Sequence, residues 1–147
     1  MNEAQQPRTT LGRLFSALGR DDTEQVKHWQ RVANDDVEAQ DTVDLMAQYA
    51  MAELLAAGPR KFGALEVARI HRRLGARGFS FGLFEVQRVL DAASGKNADL
   101  SKLSVGQLIK LRIGLFQLIA LNYGIAEPAL DGAIVRAEES VRESRAR

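Results

Sequence analysis

No cysteine occurs anywhere in this 147-residue chain, so structural disulfides, thiolate nucleophiles and cysteine metal sites are excluded. Histidine is almost as scarce. His28 and His71 are the only two, and neither sits in a Glu-x-x-His or His-x-x-x-His spacing that would start a ligand set of three or four. His28 has Glu24 one helical turn before it, an exposed pair of small value. His71 lies among arginines in the sequence, with no acidic or histidine partner at ligand spacing. The chain also lacks a Gly-x-Gly-x-x-Gly fingerprint, a phosphate loop and a Gly-x-Ser-x-Gly elbow; Gly95-Lys96 has neither the earlier glycine nor the following Ser/Thr. The acids Asp35, Asp36, Glu38, Asp41 and Asp44 spread around a helix start, with no nucleophile or base beside them. The expectation is a non-enzymatic protein with no catalytic residue, cofactor, metal or evident small-molecule substrate.

Two further features are missing. The first eight residues lack the basic-then-apolar order of a secretory signal, which leaves a cytoplasmic protein as the expectation. No run reaches the roughly 18–20 apolar residues that span a bilayer. The longest candidate, residues 109–123, is interrupted by Lys110 and Arg112 and reads as a buried core helix, with no membrane role.

What is present points to one helical domain. Apolar residues make up 46% and charged residues 27%, ordinary values for a globular chain long enough to build a core without staples. Residues 1–8 read as a flexible tail and 9–147 as a single all-α domain of six to seven helices, a bundle or orthogonal array. Thr9 or Thr10 caps a first short helix that Gly19 stops, and Asp21 to Glu24 open a second. Val37 to Ala57 has no Gly or Pro and reads as the clearest helix, closed by a left-handed cap at Gly58 before Pro59. Residues 64–74 form another, with Leu65, Val67, Ala68 and Ile70 inward. After the turn 75–78, Ser80 caps a helix through Leu90, although the alternation Phe79-Ser80-Phe81 also suits a short strand. Ser104 caps the segment around 109–121, which is apolar nearly all round and is expected to be the central, most buried helix. Glu127-Pro128 opens a last helix, about 127–145. The expected core is Leu45, Met46, Tyr49, Leu54, Ile70, Leu74, Phe84, Leu90, Leu108, Leu111, Leu115, Leu118 and Ile119.

Charge is the least uniform property. Net charge is +1, yet residues 1–59 hold five Lys/Arg against ten Asp/Glu, and residues 60–112 hold eleven against four. Such asymmetry either pairs off, within the molecule or across a dimer, or marks an anionic partner. The basic run is Arg60, Lys61, Arg69, Arg72, Arg73 and Arg77, joined by Arg88 on the following helix. Helix, glycine turn and helix resemble the outline of a helix-turn-helix reader, in which such cations grip phosphates. The second helix carries few polar side chains for base contacts, and a solvated cationic face stays open beside the nucleic-acid reading. In the last helix Leu130, Ile134, Ala137 and Val141 step by four, three and four, the spacing of a coiled-coil seam. That stripe either packs on its own domain or projects to meet a second subunit. The functional expectation is a helical interaction or accessory protein that self-associates as a homo-oligomer or docks a protein partner; the alternative is a nucleic-acid-binding regulator using residues 60–88.

Overall fold

Seven α-helices account for 77% of the computed structural model, which describes residues 6–58, 63–125 and 127–147. They are α1 (Thr10–Gly19), α2 (Thr23–Asn34), α3 (Val37–Ala57), α4 (Ala64–Ala76), α5 (Leu83–Ala93), α6 (Val105–Asn122) and α7 (Glu127–Ala146). No strand occurs among the described residues. Local chemistry sets most helix starts. Thr9, Asp22, Asp36 and Ser104 each accept the backbone N–H three residues ahead, satisfying a donor that the first turn leaves without a partner. Before α4 and α5 the cap residues are glycines. There Glu66 and Glu85 reach back to the N–H groups of Gly63 and Gly82, both at 2.7 Å.

Side-chain pairs fix the directions. Ile125 lies against Gly58 and Arg112 against Asp44, so α6 runs alongside α3 in the same sense. α7 returns the other way, because Leu130 meets Gly19 at the end of α1 while Glu138 meets Thr9 at its start. Arg136 meets Glu53 on α3 at 2.8 Å. Between these helices sits a continuous apolar core in which Phe15 and Phe116 pack edge to face, with Met46, Met51, Leu54, Leu115, Ile119 and Ile134 essentially inaccessible. Each such side chain contributes about 1.5–3 kcal/mol through burial. α2 contributes no fully buried residue and is held by half-buried Val26, Trp29 and Ala33, with the Arg13 guanidinium over the indole.

Several expectations need correcting. Ser104 caps α6 as expected, but the first turn of that helix points into solvent, with Val105 60% exposed. It shares the centre with α3, which packs against both α6 and α7 and touches α1, α2 and α5. α6 is the one described helix long and apolar enough to cross a membrane; here it packs against α1, α3, α4 and α5, with 44% of it buried. Phe84, expected in the core, is 75% exposed, and Leu65, expected inward, is 63% exposed. Both stand opposite the arcs that their helices bury, Val67/Ile70/Leu74 in α4 and Val86/Val89/Leu90 in α5. Leu45, Tyr49 and Leu108 are half-buried at the core edge. Gly19 is helical; a Cβ there would stand 2.8 Å from Leu130, and the left-handed turn residue is Asp21. Gly58 ends α3 at φ −126°, outside the left-handed region. The Phe79–Phe81 segment is irregular connection after the turn at 77–78, and the cap of α5 is Gly82 in place of Ser80. Arg8, counted with the flexible tail, is held by its backbone N–H on Glu138 at 2.9 Å; residues 1–5 lie outside the described residues.

Candidate interaction surface

The last helix settles first. Leu130, Ile134 and Ala137 are buried inside the chain's own fold, at 1, 0 and 0% exposure, and Val141 is half-buried against the same core. The stripe expected as an oligomer seam is therefore spent on α3 and α1. α7 lies antiparallel along both and packs its apolar edge against them. Its last turns, α3 and the N-terminal segment bound a cleft of about 730 Å³, floored by Leu11, Ala39, Thr42 and Met46. Two of the acids around that cleft are engaged in holding the fold. Asp36 caps α3, and Glu138 accepts from Thr9 N and Thr9 Oγ1, both at 2.6 Å. Among the described residues, no three His, Asp or Glu side chains gather as a metal ligand set.

α4 and α5 present a different surface. α4 ends in a tight cap: Gly78, at φ +89°, donates to the Gly75 carbonyl, and Phe79 N–H returns to the Leu74 carbonyl at 3.0 Å. The Phe79 ring then plugs onto α6 where Gly114 leaves room, with Lys110 5.7 Å from the ring centre. His71 Nε2 donates to the Phe81 carbonyl at 2.8 Å, which fixes its tautomer and ties the turn to α4. These contacts hold α5 beside α4. The connection from Arg77 to Gly82 is six residues, longer than the three or four of a helix-turn-helix.

Sequence-derived cations divide into three groups here. Arg60 and Lys61 lie outside the described residues. Arg69, Arg72 and Arg73 are exposed on the outer side of α4, and among the described residues none of them makes an ion pair. Arg77 is turned to α6, donating to Gln117 Oε1 at 2.7 Å, and half-buried Arg88 lies near enough to Asp99 to favour its charged form. The acids of the same region are engaged internally: Glu66 and Glu85 cap, and Asp91 accepts from Gln87 and faces Lys96 at 3.9 Å. The acidic and basic stretches meet within the described chain in one ion pair, Arg112 to Asp44 at 3.5 Å. Tyr123 borders the row. Burial pushes its phenol pKa up and Glu66 adds to that, while Arg69 and Arg73 pull it down.

The signal missed in the sequence was phase. Once Val86, Val89 and Leu90 are taken as the buried arc of α5, Phe84 falls on the opposite side at 100° per residue, one turn from Arg88. Leu65 stands likewise one turn before Arg69. No family model, curated protein or solved structure matches this chain.

Proposed function

We propose that this chain is a non-enzymatic helical interaction protein that docks a protein partner through the outer faces of α4 and α5. The observation that carries the reading is the placement of apolar side chains in solvent. Of the six large ones left exposed among the described residues, Leu65, Leu83 and Phe84 belong to these two helices, and Arg69, Arg72 and Arg73 follow Leu65 along α4 without ion pairs. Apolar contacts ringed by unpaired cations suit an acidic amphipathic helix, whose burial supplies affinity and whose charges supply orientation. The test is amide-resolved NMR with a synthetic amphipathic helix bearing Glu around a Leu stripe. Shifts confined to α4 and α5, and abolished by Phe84→Ser with Arg72→Glu, are expected.

Arg69, Arg72 and Arg73 also favour a second reading, nucleic-acid binding. In that case duplex DNA binds at low salt, and Ala at all three positions flattens the salt dependence by about three phosphate contacts. No response of α4 and α5 to either probe would end both readings.

A further inference from the structure

The acidic start of α3 mirrors the basic face of α4. Val37, 70% exposed at the first position of α3, has Asp35 and Glu38 close to it in the chain and Asp41 one turn on, with Glu38 also lining the cleft that Arg142 and Arg145 border. Leu65, 63% exposed near the start of α4, stands among the guanidinium groups of Arg69, Arg72 and Arg73. Among the described residues, none of these six charges makes an ion pair. The two faces are alike in construction and opposite in sign.

We infer that the outer face of α4 docks on the acidic start of α3 in a second copy of the chain. Spacing supports it. Val37 and Asp41 are one turn apart, as are Leu65 and Arg69, so each face presents an apolar group followed by its charges along a single helix stripe. Net charge allows it too, because at +1 two copies approach against little overall repulsion while local fields of opposite sign steer them. Each copy carries both faces, so a twofold dimer that aligns them makes the contact twice. A polyphosphate partner would use the arginines alone, leaving Val37 and its carboxylates unexplained. The inference rests on the reading of α4 as a docking face, and it names the occupant.

Light scattering at low salt, with circular dichroism to verify folding, tests it. The unaltered protein should gain mass with concentration and lose it as salt screens the contact. Arg69→Glu/Arg72→Glu/Arg73→Glu and Glu38→Lys/Asp41→Lys should each weaken self-association by about a hundredfold, because like charges then face each other. An equimolar mixture of the two variants should associate again. If the lysine variant loses helix at the α3 start, Glu38→Gln/Asp41→Asn replaces it and should still weaken association. A monomer at every concentration, an oligomer indifferent to both reversals, or a mixture that stays apart would overturn the inference. If monomer alone binds the acidic helix probe, the docking face survives and the second copy does not. Binding of duplex DNA by a monomer, lost in the arginine variant, assigns the row to nucleic acid instead.

Discussion

Gly114→Ala isolates the contact that positions the α4–α5 unit. A Cβ at Gly114 would stand 2.9 Å from two ring carbons of Phe79 and 3.2 Å from Leu74 Cδ2. The first distance is closer than such atoms approach, so the ring must leave its seat or α6 must shift. Overpacking of this kind costs about 1–3 kcal/mol. Against it stands the helix preference of alanine over glycine, about 0.5–1 kcal/mol. Gly75 supplies the comparison, since it is helical, exposed and has no atom within 4 Å of an added Cβ. Gly75→Ala should therefore stabilise by roughly the propensity term, and the difference between the two variants should equal the clash, about 1–3 kcal/mol. Urea unfolding with unchanged slope measures both. The displaced ring should also release the turn, so amides from Arg77 to Gly82 should exchange faster in Gly114→Ala than in Gly75→Ala. Phe79→Leu in the Gly114→Ala background should recover part of the loss, with a coupling of about 0.5–3 kcal/mol. Equal stabilisation by both alanines would show that Phe79 does not pack on Gly114, and the account of how α5 is held would fall.

Two more outcomes follow from buried and bonded charge. The Arg112 side chain is 9% exposed and meets Asp44, itself 46% exposed, at 3.5 Å, and burial pushes the guanidinium pKa down. Arg112→Met should be neutral or stabilising, whereas Asp44→Ala strands a buried cation and should cost about 1–3 kcal/mol in thermal or urea unfolding; the reverse order would refute this. Asp99 accepts hydrogen bonds from Ser101, which hold its carboxyl below the ordinary value of 3.8. A folded pKa below the unfolded one adds stability above that range and loses it as pH falls through the folded value. An NMR titration should find Asp99 below 3.8, and Ser101→Ala should move it upward, part of the way because the backbone bond remains.

Helix number and most helix starts were legible in the sequence because the chemistry that sets them is local. Thr9, Asp22 and Ser104 each reach a backbone N–H three residues ahead, so residues close in the chain suffice to identify the cap. Phase was not legible where a helix is apolar on more than one side. Leu83, Phe84, Val86, Val89 and Leu90 surround most of α5, and helical period alone does not say which three face inward. That choice belongs to α3, α4 and α6, which meet α5 from elsewhere in the chain. The stripe from Leu130 to Val141 was ambiguous for the same reason. A seam between subunits and the edge of a helix on its own core share one periodicity, and only the antiparallel return of α7 along α1 and α3 decides between them.

The charges show the complementary limit. The counts in residues 1–59 and 60–112 revealed an imbalance but not where it would be neutralised, because pairing depends on which helix faces which. Folding brings α3 and α6 together so that Asp44 reaches Arg112. It does not pair Asp35, Glu38 and Asp41 with Arg69, Arg72 and Arg73, leaving both groups without ion pairs among the described residues. A solvated charge costs little, so six exposed ions alone would not mark a surface. The exposed Val37 and Leu65 change the argument, because each places apolar area in water beside its charges. Covering that area is favourable and non-directional, while the ions add direction; a mutual contact between copies satisfies both at once. The same logic explains why salt and charge reversal, and not deletion of the α7 stripe, are the perturbations that discriminate. Ile134→Asp would place a carboxylate at a fully buried position between α7 and its own core. Its effect would be unfolding, by roughly the several kcal/mol of an unpaired buried charge, whatever the oligomeric state.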